Sequence, residues 1–442
     1  MKKDNLKLTI VGGGSTWTPG LLKSICVKKN RFHIKQLVLY DIDGLRQKPI
    51  GQFAQILFRE EYPEVEVIYT TDKELAYTDV DFVFCQIRTG GFDMRDKDEK
   101  IPLSHGVLGQ ETCGPGGFCY GMRSITDMIE IVNDVRSHSQ DAWILNYTNP
   151  AAIVAVALEM AFPNEKRLLN ICDQPINLLK SYGRLLNRDY HEFDPVYFGL
   201  NHFGWFKNIY DKEGNDLVDE IKERILKEGF VPADKEERDQ SWLDTYALVK
   251  EILEYYPEYI PNTYLQYYLY PEYKTSHLDK NYTRTDEVRN GREKKVFREC
   301  EKVIMNNTAK GSPIAVNEAH ADMIVDLAIA IIYNTNEKFI MIVKNEGCIE
   351  NISNDAMVEV SCLVGSNGPH SLTVGPVSTF YKGLIEQQYA YEKLTCEAYF
   401  EHSYTKALQA LTLNRTVVDG FKAKRLLDEL MIANERYWPP LK

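Results

Sequence analysis

Three side chains carry reactive or metal-binding chemistry. Cys172 closes the apolar run Arg167 to Cys172 and Asp173 follows it, while His202 sits among the apolar residues of YFGLNHFGW. One cysteine and one histidine thirty residues apart cannot close a structural zinc site, which takes four protein ligands. They could make an open site, with vacancies for substrate hydroxyls, and a sulfur and nitrogen pair suits a divalent transition ion better than calcium or magnesium. Read singly, Cys172 is a buried strand residue and His202 a core side chain among apolar neighbours. PNTYLQYYLYP, Pro261 to Pro271, packs four tyrosines. It reads as an aromatic patch or as the source of a phenol base at a cleft. Arginines recur nearby: Arg88 and Arg95 after the fourth run, then Arg284, Arg289 and Arg292 in NYTRTDEVRNGRE. A guanidinium fork matches phosphate oxygens, although Arg289 and Arg292 read as exposed helix residues.

The loop SHGVLGQETCGPGGFCYGMRS, Ser104 to Ser124, surrounds Glu111 with glycines, and NYTNP carries Asn149 before a proline. The first reads equally as a catalytic loop or a plain surface loop, the second as an everyday turn.

Elements must hold these residues. LKLTIVGGGST, Leu6 to Thr16, is an apolar strand breaking into a glycine turn, the arrangement that brings bare backbone N–H groups and a helix N-terminus to a pyrophosphate. Gly12, Gly13, Gly14, Ser15 and Thr16 are the expected dinucleotide contacts. Trp17 stands where the usual fingerprint has a third glycine. Asp41, closing the run KQLVLYD, is placed to accept hydrogen bonds from a ribose diol. Apolar runs at Lys7–Val11, Gln36–Tyr40, Val65–Tyr69, Asp81–Ile87, Ala142–Asn146 and Arg167–Cys172 alternate with helical stretches. That predicts an α/β fold with an N-terminal Rossmann-like, doubly wound parallel sheet over residues 1–195. Residues 196–442 read as a C-terminal α+β domain for substrate, metal and assembly, with amphipathic stretches at Ile324–Tyr333 and from Leu384 through Trp438.

Composition narrows the classes. The 442 residues are 44% hydrophobic and 26% charged, with a net charge of −12. Such a chain buries a large core and disfavours nucleic acid and anionic membrane as partners. No segment is apolar and long enough to span a bilayer, and the N-terminus lacks a signal-peptide pattern, so a cytoplasmic enzyme is expected. Nine cysteines at irregular spacing read as buried thiols rather than a disulfide framework.

Taken together, VGGGSTWTP, VLGQETCGPGG, YTNPA, NICDQP, NHFGW and NTYLQYYL resemble family four of the glycoside hydrolases, the NAD- and metal-dependent glycosidases. The family departs from the two-carboxylate rule. Its fold is similar to lactate and malate dehydrogenases. Cys113 and Asp173 resemble the 6-phospho-α-glucosidase branch, where the 6-phospho-β-glucosidases more often carry asparagine. Gln174 stands where that branch usually has methionine, and KNEG at Lys344 to Gly347 replaces an asparagine-rich turn.

The resemblance implies hydrolysis of a phosphorylated disaccharide or glucoside by transient oxidation at C3, deprotonation at C2 and elimination of the aglycone. It implies NAD and a manganese-like cation as cofactors, with Cys172 and His202 as metal ligands. It makes Tyr264 the C2 base, its phenol pKa lowered by the cation, and Asp173 the acid. Glu111, Asn149 and Asn201 would hold sugar hydroxyls, and Arg95 and Arg284 the phosphate. A homodimer or homotetramer is likewise implied. Three rivals share parts of this pattern: a 6-phospho-β-glucosidase, an NAD-dependent hydroxy-acid dehydrogenase, and a regulatory protein that binds NAD without turnover.

Overall fold

A computed structural model of the chain describes residues 3–163, 165–316 and 319–442. Six strands follow the expected runs: β1 (Leu6–Val11), β2 (Ile34–Tyr40), β3 (Glu66–Thr70), β4 (Phe82–Cys85), β5 (Trp143–Asn146) and β6 (Leu168–Asn170). They pair in parallel in the order 3-2-1-4-5-6. Both faces are covered by crossover helices, which is why these strands are nearly continuously apolar. On one flank lie α1 (Thr18–Val27) and α2 (Gly44–Glu61). The α2 N-terminus is capped by the Asp43 carboxylate, which accepts from the Leu45 and Arg46 N–H groups. Next come the short α3 (Lys73–Tyr77), then α4 (Gly91–Ser104), α5 (Gly114–His138), α6 (Ala151–Ala161) and α7 (Gln174–Leu186).

The C-terminal half does more than form a separate layer. After a small antiparallel sheet of β7 (Asp194–Leu200), β8 (Phe203–Tyr210) and β9 (Ile260–Pro261), the chain adds β10 (Glu337–Lys344), β11 (Met357–Gly365) and β12 (Gly368–Ser371) to the main sheet. These join antiparallel beyond β6, giving nine strands. Helices Thr379–Glu401, Tyr404–Leu413 and Gly420–Ala433 fill the long amphipathic C-terminal stretch. Their apolar faces bury Cys396, Leu411 and Leu427 against Phe118, Met122 and Ile153 of α5 and α6. Each fully buried Leu or Ile side chain of this kind contributes about 1.5–3 kcal/mol.

Two expected strands stop before the C-terminal ends of their apolar runs. β4 stops at Cys85, and β6 stops at Asn170, where only the Ile342–Asn170 pair joins it to β10. Cys172 therefore lies beyond the strand, in the turn before α7. All nine cysteines are free and buried, as expected. Among the described residues no helix is long and apolar enough to cross a membrane.

Candidate active site

The β7–β8 hairpin turns on two residues, Asn201 and His202, and His202 takes the left-handed conformation at φ +60°. Histidine tolerates that region better than most residues. The hairpin is fixed to the main sheet, since Ser361 Oγ on β11 accepts from the Tyr197 N–H and donates to the Pro195 carbonyl. This places His202 Nε2 3.4 Å from Cys172 Sγ. The two lone candidates are thus a pair.

The proton inventory leaves Nε2 free to coordinate. The Thr112 hydroxyl donates to Gln110 Oε1, so at 3.2 Å it accepts from the His202 Nδ1–H. That contact fixes the tautomer with its lone pair on Nε2. Burial pushes the imidazole down to about 4, against the opposing charges of Asp173 and Glu111, and keeps it neutral. Burial first, then the Glu359 and Asp173 carboxylates, pushes the Cys172 thiol well up. Among the described residues no group of three or more His, Cys, Asp or Glu side chains converges. One soft and one borderline donor therefore fit a divalent transition ion that completes its shell with substrate or water oxygens.

The Tyr264 ring stacks on the His202 imidazole, centroids 4.1 Å apart and planes 15° from parallel. Its phenol is pushed well above the ordinary tyrosine value by burial, with Tyr267, Glu111, Cys113 and Cys172 adding to the shift. The expected lowering is not a property of the protein alone. Only an added positive charge would reverse the direction. Asp173, immediately before α7, accepts a hydrogen bond from Asn177 Nδ2 at 2.9 Å. Asn149 precedes Pro150, and its Oδ1 is buried with no hydrogen-bond partner in the protein. Asn201 faces inward: its Nδ2 donates to Glu359 Oε1 at 2.9 Å, and its side chain also bonds Cys172. The Glu359 carboxyl, raised to about 8 by burial, lies behind the ligand pair.

Glu111 gathers the arginines. Arg88 Nη2 lies 2.8 Å and Arg95 Nη1 3.0 Å from its Oε2. Burial works against ionisation there, but Arg95, Arg88 and Arg292 hold the carboxyl down to about 2. Arg95 is further paired with Glu99, and Arg284 with Asp239 and Glu287. Arg292 is not the exposed helix residue that its sequence suggests. Residues Arg289–Glu293 form a π-helical turn, and the widened turn rotates Arg292 inward, over the Trp17 ring at 4.2 Å. Its Nε is buried without a hydrogen-bond partner, and burial together with Arg95 and Arg284 pushes its pKa down to about 10. No periodicity in the sequence signals that turn. Arg289 pairs with Asp93 at the surface.

At the glycine turn, Gly12 has φ +82°, and a Cβ there would meet the Gln86 carbonyl oxygen at 2.7 Å. The turn does not present a row of bare donors. The Gly12 and Gly13 N–H groups donate to the Tyr40 carbonyl, and Gly14 N–H donates to Asp41 Oδ2 at 2.8 Å. Ser15 N–H returns to the Gly12 carbonyl, and Thr16 leads into α1. What fits a dinucleotide is the close approach that missing side chains permit, together with an α1 N-terminus that no side chain caps.

Known proteins match this chain along nearly its whole length. Residues 7–187 match the Family 4 glycosyl hydrolase profile, and residues 197–417 match the Family 4 glycosyl hydrolase C-terminal domain. A maltose-6'-phosphate glucosidase of Fusobacterium mortiferum is 48% identical over 98% of this chain and 99% of its own length. A 6-phospho-alpha-glucosidase from gut microorganisms, solved in complex with NAD and Mn2+, is 54% identical with a TM-score of 0.97. The match covers 99% of this chain and all of that one. Another 6-phospho-alpha-glucosidase from gut microorganisms, solved with NAD and glucose-6-phosphate, is 41% identical with a TM-score of 0.94 over 99% of this chain and all of its own.

Proposed function

The chain belongs to family 4 of the glycosyl hydrolases, and from that premise we propose that it hydrolyses 6-phospho-α-glucosides. Maltose 6'-phosphate would yield glucose 6-phosphate and glucose. The observation that carries the reading is the Cys172–His202 pair, 3.4 Å apart and stacked against Tyr264, beside an arginine group. A hydroxy-acid dehydrogenase has no use for such a thiol and imidazole pair.

NAD bound against Gly12 to Thr16 and Asp41 supplies a reversible hydride acceptor, and a divalent cation held by Cys172 and His202 supplies Lewis-acid stabilisation of charge on the sugar oxygens. The protein's own groups do the rest. Tyr264 takes the C2 proton, its ring held in place by the stack on His202. Asp173, steadied by Asn177, donates a proton to the departing glycosidic oxygen, as an alcohol leaving group requires. The orphaned Asn149 Oδ1 is an acceptor for a sugar hydroxyl. Asn201, turned to Glu359, supports Cys172 in place of the sugar contact first expected. Arg292 joins Arg95 and Arg284 as a phosphate partner, because its Nε is buried without a hydrogen-bond partner beside the Arg95 and Arg284 charges. Glu99 supports this arm by accepting from the Thr285 N–H while paired with Arg95.

Residues 1–195 serve as the NAD domain and 196–442 as the substrate, metal and assembly domain, with β10 to β12 welding the second onto the sheet of the first. Nine buried free thiols, one of them a metal ligand, suit the reducing cytoplasm. We infer a homodimer or homotetramer from the family resemblance alone. The test is hydrolysis of maltose 6'-phosphate with NAD, manganese and a thiol reductant. Turnover should require all three, yield no net NADH, and fail with unphosphorylated maltose. Turnover of the β-linked cellobiose 6'-phosphate in place of the α-linked substrate would overturn the anomer assignment.

A further inference from the structure

Asp173 and Tyr264 stand on different elements, the first just before α7 and the second in the turn after β9. One side chain ties the two together. Gln174, the residue after Asp173, donates through Nε2 to Oγ1 of Thr263, the residue before Tyr264, at 2.6 Å. Gln174 is 3% exposed and Thr263 fully buried, so little water competes for this bond. At the α7 end the donor is firmly held. Gln174 opens α7 with Pro175 in the first turn, and its own N–H also bonds the Cys172 sulfur.

The turn after β9 is gripped from the opposite side by Asn262. The Asn262 N–H donates to the Gly204 carbonyl and its Nδ2 to the Tyr197 hydroxyl, while its Oδ1 accepts from the Tyr264 N–H. Those contacts refer Tyr264 to the β7–β8 hairpin that carries His202, and none of them reaches α7. We propose that Gln174 is a positioning residue, whose hydrogen bond to Thr263 sets the reach of Tyr264 across the sugar from Asp173. The inference rests on the glucosidase reading above. Elimination needs a base at C2 and an acid at the C1 oxygen of one ring, so the substrate dictates the span between the two groups. A misplacement of about 1 Å at reacting groups can cost about 100-fold in rate. Methionine, usual at position 174 in the branch that the chain resembles, has no group to donate, so the tie is this chain's own. Without it, the Thr263 hydroxyl loses its buried donor, and Tyr264 is referred to the hairpin alone.

A double-mutant cycle on maltose 6'-phosphate tests this, with Gln174→Met, Thr263→Val and both together, assayed with NAD, manganese and reductant well below the melting temperature. Each single variant should lower kcat about three- to tenfold, the size of one neutral hydrogen bond, with KM and the affinities for NAD and manganese within about twofold. The double variant should be no slower than the slower single one, because both changes remove the same bond. Thr263→Ser keeps the hydroxyl and should recover what Thr263→Val loses. Isotope effects separate position from stability. The effect on kcat of deuterium at C2, divided by that of deuterium at C3, should rise in Gln174→Met, since a longer reach slows proton transfer but not hydride transfer. Additive losses, an unchanged kcat with only a lowered melting temperature, or an unchanged isotope ratio would overturn the proposal and leave the glucosidase reading intact. Should Gln174→Met not fold, Thr263→Val against Thr263→Ser reads the bond from its other end by the same ratio. Wild-type enzyme inactive on maltose 6'-phosphate would remove the glucosidase reading, and the tie with it.

Discussion

At the glycine turn the binding surface is backbone stripped of side chains, braced by an aspartate 27 residues along the chain. At the sugar end it consists of side chains drawn from α4, the loop before α5, the turn after β6, the β7–β8 hairpin and the π-helical turn. The first end is built mainly from backbone, with Asp41 and Arg46 the charged side chains that touch the turn. The second gathers three guanidinium groups, those of Arg88, Arg95 and Arg292, around Glu111, with the Cys172–His202 pair nearby. The difference teaches where each end is vulnerable. A backbone site fails when an atom is added, and a side-chain site fails when one is removed. The two ends nevertheless touch, because Arg292 covers Trp17, and Arg46 donates to the Gly14 carbonyl while paired with Glu293.

Removing one metal donor is the largest expected effect. Cys172→Ser or His202→Ala should lower turnover by about 10³-fold or more, about 4 kcal/mol of transition-state stabilisation. NAD affinity, measured calorimetrically, should stay within about twofold. A thiol that merely packs behind the sheet would instead show a lowered melting temperature with manganese affinity intact. Arg292→Met comes next and should raise KM for phosphorylated substrate about 10- to 100-fold, as for a lost charge-assisted contact. Because Arg292 also stacks on Trp17, a concurrent loss of NAD affinity would show that the two ends are energetically coupled. Unchanged NAD binding would show that they only adjoin.

Adding an atom at the other end should do the converse. Gly12→Ala puts a Cβ at φ +82° and 2.7 Å from the Gln86 carbonyl oxygen. It should weaken NAD binding at least about tenfold while manganese binding to the Cys172–His202 pair is unchanged. Equal loss of both ligands would break the comparison.

The smallest effect concerns a carboxyl with no counterpart at the glycine end. Glu392 is buried behind the Cys113 loop, paired with Gln388, and burial raises it to about 8. An unfolded glutamate ionises near 4.3. Between those values the folded chain holds a proton that the unfolded chain has released, so stability is full at acid pH and falls as pH rises toward 8. Glu392→Gln keeps the Gln388 contact and carries no charge. It should flatten that decline and raise stability at pH 9 by about 1 kcal/mol or more, read from chemical denaturation at pH 5 and pH 9.

The parallel sheet was legible because β1 to β6 are short apolar runs between turn signals, and each observed strand overlaps its expected run. The added strands β10 to β12 were not, since their pairing with β6 and with one another joins segments far apart in sequence. Cys172, His202 and Tyr264 could be suspected from residue type and, more firmly, from resemblance. Their convergence came from Ser361 fixing the hairpin and Thr112 fixing the imidazole.

The sequence by itself determined the six parallel strands, the glycine turn with its aspartate and the family, because each depends on residues close in the chain or on ordered motifs. Only the tertiary structure decided that Arg292 faces the cleft, that Asn201 turns to Glu359, and that Tyr264 stacks on His202. The physical reason is the same in all three. A side chain's direction is set by one turn's width or one hairpin's docking, and its charge state by what surrounds it after burial.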